Sequence, residues 1–207
     1  MNLDYDLMLQ YVKEALLEND LERQQKSKHS FRSRYQHTLR VLGWCKRIED
    51  DLACDKKILY TSAIFHDVGY SKGQDNHAIE SGKIFLDFAN KNNFDKDFTD
   101  KVFNIIIRHS NKNLLKDPNS SNELIILLEA DLLDEEGALG IAWDLMARGA
   151  KHSISYNEAF EEIETHSGHI LVQDYMVTKK AKEYWSFKQK FVKEFLDNLK
   201  YDLFIEE

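Results

Sequence analysis

The sequence predicts an all-α fold, and three observations carry that reading. Alternation of apolar and polar residues with period two, the mark of a half-buried strand, is nearly absent. Apolar residues instead recur three and four positions apart along most of the chain. One proline and 8 glycines in 207 residues are too few for a turn-rich sandwich or barrel.

The elements follow in order. A first helix covers about residues 4–20 and a second runs from about Ser33 to Leu52, with Val41, Trp44 and Ile48 facing inward. A third covers about 56–67 and stops at Gly69, a residue suited to a helix C-terminus. The fourth opens at Asp75/Asn76, good N-cap residues, and reaches about Asn90. The fifth spans about 97–111, ahead of Pro118. Ser120-x-x-Glu123 reads as a capping box opening a long sixth helix that ends at Arg148-Gly149. Ser155-x-x-Glu158 opens a seventh. Thr178 caps a last helix reaching about Leu203, whose stripe Tyr184, Phe187, Phe191, Phe195 and Leu199 reads as core.

Length and composition suit a single domain over 1–207, its core about 25–150, with C-terminal helices about 155–203 packed on it. The net charge of −8 disfavours duplex nucleic acid as a partner. The longest aliphatic run, Leu124–Leu128, is far below the ~18 residues that a membrane helix needs. With no basic-then-apolar leader at its start, the chain reads as soluble and cytoplasmic, with no membrane partner. Cys45 and Cys54 read as reduced thiols, Cys45 as core filler. The exposed faces of the first and last helices leave a homodimer open.

The informative feature is a set of polar residues on core faces. His37 lies one turn before Val41, His66 continues the face of Ile58, Leu59, Ser62 and Ala63, and Asp67 follows it. His109 extends the stripe of Val102, Ile105 and Ile106. Asp131 and Asp134 extend that of Leu124, Leu127 and Leu128, and His77 sits one turn before Ser81. A buried carboxylate costs several kcal/mol unless paired or coordinated. Arg40 and Arg108 lie off the apolar faces, so a cation is the economical partner. Imidazole nitrogen with carboxylate oxygen suits Mn, Fe, Co, Ni or Zn, and Mg less well.

His37, the pair His66-Asp67 within Ala63-Ile-Phe-His-Asp-Val-Gly69, and Asp131 resemble the H…HD…D signature of the HD-domain metal-dependent phosphohydrolases. Glu129-Ala-Asp-Leu-Leu-Asp-Glu-Glu-Gly-Ala-Leu-Gly-Ile141 and Gln173-Asp-Tyr-Met-Val-Thr-Lys-Lys-Ala-Lys182 are similar to segments of the small bacterial HD hydrolases assigned to nucleoside triphosphate pyrophosphohydrolysis. The resemblance covers about residues 30–200 and implies an HD-type helical bundle. It departs at Leu132 and Trp143, where those hydrolases usually carry arginine.

The resemblance implies that His37, His66, Asp67 and Asp131 hold one divalent ion. It implies for His77 and His109 either a second metal or a phosphate contact, one ion being the default. Asp67 is then the catalytic residue, bridging metal and water. The segment after it offers no glutamate as base, so Asp67, Asp134 and hydroxide formed by the metal alone remain candidates. Arg34, one turn before His37, and Lys72, in the loop after the pair, are candidate substrate cations, with Asp134 lining the same site. Gly137 and Gly140 read as sites of close approach rather than a phosphate loop, and His152, His166 and His169 as surface or loop residues.

The leading expectation is phosphohydrolysis of a nucleotide, most simply a nucleoside or deoxynucleoside triphosphate. A dinuclear phosphodiesterase or dinucleoside polyphosphate hydrolase is a second reading. A non-catalytic metal-containing binding protein is a third.

Overall fold

The computed structural model describes residues 3–26, 33–73, 75–150 and 155–205. Among them the helices are α1 (Tyr5–Lys26), α2 (Arg34–Ile48), α3 (Lys56–Phe65), α4 (His77–Lys91), α5 (Lys96–Ile106), α6 (Asn122–Glu135), α7 (Ala138–Ala150), α8 (Tyr156–His166) and α9 (Lys179–Asp202). Short 3-10 turns lie at Glu49–Asp51, Val68–Ser71, Lys112–Lys116 and Gly168–Leu171, and no strand occurs among the described residues. The fold is all-α, as the periodicity predicts.

Side-chain caps set most of the helix starts. Ser33, Asp55, Asp95, Ser121, Ser155 and Thr178 each accept a bond from a backbone N–H of the first turn. Each such cap is worth about 1 kcal/mol. The core lies where α2 packs on α3 and α6, and α3 on α5. Val41, Ile48, Leu59, Ile64, Phe65, Ile106, Leu127 and Leu128 are buried there. α9 packs on α6 and α8. A buried joint secures it: Glu129 of α6 accepts bonds from Thr178 N and Thr178 Oγ1, both at 2.8 Å, and from Val177 N at 2.5 Å.

Four expectations need correction. The capping box at Ser120 does not form: Ser121 caps α6, Ser120 Oγ donates to the Leu114 carbonyl, and Glu123 accepts from Asp55 N. The long sixth helix is two, because the chain breaks at Glu136-Gly137, where Gly137 takes φ +77. A residue with a side chain rarely adopts that angle. Asn76 precedes α4 in the left-handed region, without a side-chain cap. On α9 the buried residues are Ala181, Trp185, Val192 and Leu196, whereas Phe187 is 74% and Phe191 39% exposed. The aromatic stripe sits beside the buried one, so Tyr184, Phe195 and Leu199 only flank the core. His152 lies outside the described residues.

Candidate metal centre and adjoining cavity

The segment that carries His66 and Asp67 is shaped by where α3 stops. Ala63, Ile64 and Phe65 are fully buried, and the helix ends with them. Asp67 leaves helical geometry at φ −110, ψ 6, the sparsely populated bridge region that many site residues occupy. The 3-10 turn after it packs against the start of α4. A Cβ on Gly69 would fall 2.0 Å from the His77 carbonyl oxygen and 2.5 Å from Ser81 N. Only glycine permits that approach, which brings His77 alongside Asp67.

Three histidines are held in one tautomer by their outer nitrogens. His66 Nδ1 donates to the Ala63 carbonyl at 2.7 Å and His109 Nδ1 to the Ile106 carbonyl at 2.7 Å. His37 Nδ1 donates to Asp134 Oδ2, also at 2.7 Å. Each Nε2 is thereby the nitrogen left facing inward, the arrangement that second-layer partners impose on ligand histidines. His37 Nε2 and His66 Nε2 face each other at 3.3 Å. At that distance a proton or a metal ion must lie between the two nitrogens. Around the same point, His37 Nε2 lies 3.4 Å from Asp67 Oδ2 and 3.2 Å from Asp131 Oδ1, and His66 Nε2 lies 3.8 Å from Asp67 Oδ2. Ligands about 2.1 Å from an ion and at right angles stand about 3 Å apart, so His37, His66 and Asp67 could hold a divalent ion, while Asp131 meets His37 from a neighbouring set that it shares with Glu135.

Asp67 also faces a second set through its other oxygen. Oδ1 lies 3.2 Å from His109 Nε2 and 3.6 Å from His77 Nε2. Ser110 Oγ stands 3.1 Å from the latter and 3.4 Å from the former. His77 is half-buried and its ring stacks on Tyr70 at 4.2 Å. The sequence-predicted residues His37, His66, His77 and His109 are thus brought together around the Asp67 carboxylate, and Asp131 joins them through His37.

The carboxylates call for positive charge. Burial opposes protonation of His37, yet Asp131 and Asp134 hold its pKa up at about 9. His66, fully buried, is pushed down to about 4. Burial works against the ionised forms of Asp67 and Asp131, but their cationic and imidazole neighbours keep both well below the ordinary range. Part of that charge comes from the chain itself, which corrects the expectation that no basic residue reaches these side chains. Arg34 Nη1 pairs with Asp67 Oδ2 at 2.8 Å, and its guanidinium lies 3.6 Å over the Tyr70 ring. Arg40 grips Asp134 with two bonds, 2.8 and 3.0 Å. Lys112 Nζ pairs with Asp131 Oδ2. The case for a metal ion therefore rests on the grouping of ligand atoms rather than on unpaired acids.

Two candidates sit differently from their sequence reading. Both oxygens of Asp134 are engaged, by Arg40 and His37, so it orients His37 rather than standing open. Lys72 is exposed and makes no side-chain bond among the described residues. Glu135, absent from the sequence reading, has a carboxylate oxygen within 4.8 Å of ligand atoms of both His37 and Asp131.

A cavity of about 750 Å³ opens on the other side of His37. Its wall runs from Arg40 and Asp134 across the α6–α7 break to Trp143, Met146 and His169. Glu136, 8% exposed, lies 3.2 Å from His169 Nε2, and burial raises its carboxyl to about 7. Asp144 accepts from Ser167 Oγ at 2.5 Å, and burial raises its pKa. His166 and His169 line this space, where the sequence suggests only surface or loop positions.

Residues 34–136 match the HD domain family, over the stretch that carries every residue of the cluster. The chain contains an HD domain. Its fold is similar to solved proteins along nearly its whole length. Bacillus subtilis YpgQ is 22% identical with a TM-score of 0.69, the match covering 95% of this chain and 94% of that one. An HD-superfamily hydrolase from Bacillus thuringiensis is 20% identical with a TM-score of 0.71, covering 97% of each. A predicted HD superfamily hydrolase from an uncultured Thermotogales bacterium is 22% identical with a TM-score of 0.63, covering 96% and 92%. At these identities the likeness is one of fold. No curated protein matches. The HD domain supplies the His/Asp cluster, which could hold a divalent ion. Helices α7 and α8 and the turn after α8, beyond residue 136, supply most of the cavity's outer wall.

Proposed function

We propose that the protein is a divalent-metal-dependent phosphohydrolase acting on a nucleotide, most simply a nucleoside or deoxynucleoside triphosphate. The observation that carries this is the approach of His66 Nε2, Asp67 Oδ2 and Asp131 Oδ1 to His37 Nε2, at 3.3, 3.4 and 3.2 Å, beside a cavity of about 750 Å³. Those four residues would hold the ion. When bound, it supplies Lewis acidity toward a phosphoryl group and acidifies a water. The similar YpgQ has been solved in complex with ADP, which supports a nucleotide ligand here.

The chain's own groups do the rest. Asp134 holds His37 by Nδ1, so that Nε2 points inward. Arg34, Arg40 and Lys112 bring positive charge to a molecule of net charge −8, offering a local attraction for a polyanion. Phosphoryl transfer depends mainly on positioning and charge stabilisation, which such a set provides. Asp67, facing both histidine sets, is the residue whose loss should be felt most.

A second reading has its own observation. Asp67 presents one oxygen to His37 and His66 and the other to His77 and His109. That division suits two ions sharing a carboxylate, as in a dinuclear phosphodiesterase or dinucleoside polyphosphate hydrolase. One assay decides between them. A panel of nucleoside triphosphates, dinucleoside polyphosphates and phosphodiesters is offered with Mn, Co, Ni, Zn or Mg. Products are separated so that pyrophosphate and phosphate are distinguished, and bound metal is counted by elemental analysis. Turnover of triphosphates at one metal per chain supports the first reading. Two metals, with diester or dinucleotide cleavage, support the second. No turnover with any ion rejects both and favours a non-catalytic metal-containing protein.

A further inference from the structure

We propose, building on the nucleotide reading above, that the cavity walled by α7 and α8 holds the substrate's base and that Glu136 selects a base with two adjacent N–H donors, as guanine has. Among the described residues of the wall the one arginine, Arg40, lies with His37, Asp134 and Glu135 near the metal cluster, whereas Glu136 and Asp144, beside His166 and His169, stand in the part formed by the α6–α7 break and the helices after it. A phosphate chain laid along those carboxylates would be repelled. The phosphates therefore go to the cluster and the uncharged end of the nucleotide goes to the acids.

The acids then specify what that end must offer. Once ionised, which for Glu136 means above about pH 7, a carboxylate only accepts hydrogen bonds. Asp144 is already bonded to Ser167 Oγ at 2.5 Å. Glu136 is 8% exposed and holds His169 through Oε1 at 3.2 Å, while its Oε2 has no partner among the described residues. The backbone carbonyl of Glu136 accepts from Lys188 Nζ at 2.9 Å. An acceptor in a buried wall, with one oxygen open to a cavity, is matched by a donor from the ligand. Guanine presents N1–H and N2–H side by side, the spacing of two carboxylate oxygens. Adenine and cytosine set an acceptor nitrogen next to their amine, and uracil flanks its one N–H with carbonyls, so each turns an acceptor toward the carboxylate. Leu139 and Met146 are 43% and 51% exposed on the same wall, apolar surface that a flat ring would cover.

The test separates the base site from the chemistry. Guanosine and adenosine, which carry no phosphate, are titrated into the metal-loaded protein by calorimetry, and kcat/KM is measured for GTP, ITP and ATP. Guanosine should bind at least about 10-fold tighter than adenosine, and kcat/KM should fall in the order GTP, ITP, ATP across about 10- to 100-fold, the range of hydrogen bonds to a charged group. Glu136→Gln, which turns one acceptor into a donor, should bring the guanosine-to-adenosine ratio within about threefold while the helical circular dichroism persists. Leu139→Trp, which narrows the cavity away from the cluster, should weaken guanosine binding and is the second variant if the first fails to fold. Equal binding of the two nucleosides, or a ratio unmoved by Glu136→Gln, overturns the proposal. Selective guanosine binding without turnover of any nucleotide supports the base site and sinks the phosphohydrolase reading. Turnover with no base preference does the reverse.

Discussion

The two sides of His37 are built to opposite specifications. On the cluster side, His37, His66, His109 and Asp67 are at most 3% exposed, and each imidazole is fixed through Nδ1 by a carbonyl or carboxylate. On the cavity side, Met146 and Leu139 are about half exposed and Glu136 keeps an oxygen uncommitted. Groups that hold a charge need their geometry in place before the ligand arrives, because reorganising a buried charge is costly. Groups that read a ligand need unspent bonding capacity. Chemistry is prearranged on one side, and recognition is left open on the other.

The sharpest way to break this comparison is Asp67→Ala. It removes the carboxylate common to both histidine sets, so metal-dependent phosphate release should fall by at least about 1000-fold, on the scale of the several kcal/mol that metal charge stabilisation supplies. Helical circular dichroism should persist, and retained release would show that the cluster is not the reaction centre.

Asp134→Asn comes next. It leaves the four inward donors intact but loosens the hold on His37, so divalent-metal affinity should drop roughly 10- to 100-fold. Equilibrium dialysis measures it, and unchanged affinity would mean that His37 needs no such partner.

A smaller effect separates two lysines. Lys112→Ala should raise KM for a triphosphate a few-fold, whereas Lys72→Ala should leave it within error, because Lys112 pairs with Asp131 and Lys72 is exposed. The reverse result would put Lys72, not Lys112, at the mouth.

The smallest effect is on stability, in protein stripped of divalent ions. His66 sits at about 4, below its ordinary 6.5, so the unfolded chain binds the extra proton and stability should fall as pH drops from 6.5 toward 4. His37 sits at about 9, so its protonation stabilises fully below 6.5 and that contribution is lost as pH rises through 9. Melting temperature should therefore peak near pH 6.5, by a few degrees. In Asp134→Asn the alkaline decline should shrink, since Asp134 is one of the groups raising His37. A flat profile across this range would deny both assignments.

Helical periodicity exposed the cluster because its members extend apolar faces: His37 before Val41, His109 after Ile106, Asp131 after Leu128. Each face had one destination, the core, and the polar residue on it had to arrive there too. The same reasoning placed Arg40 off the face, since it considers the Cα position and not the length of a side chain. A guanidinium on its long flexible stem reaches back over the helix edge to Asp134. Lys112 was invisible for a similar reason. It lies in a 3-10 turn with no apolar stripe to orient it.

The α9 stripe shows the limit of counting aromatics. Phe187 and Phe191 keep helical spacing, but the buried line runs one position away, through Ala181, Trp185 and Val192. A step of one residue turns a helix by about 100°, and the partner surfaces of α6 and α8 choose which line faces in.

Local rules alone account for the all-α class, the helix order and which histidines and aspartates travel to the interior, because each depends on neighbours within a few residues. The break at Glu136-Gly137, the partners of Asp67 and Asp134, and the cavity that joins Trp143 to His169 depend on helices meeting across long stretches of chain. Gly137 was read as a close approach to another element, and its φ of +77 appears only once α7 turns away from α6 toward α8. Distance between residues remote in sequence is a property of packing, and packing is where the acid-lined wall, and with it any choice of base, comes into being.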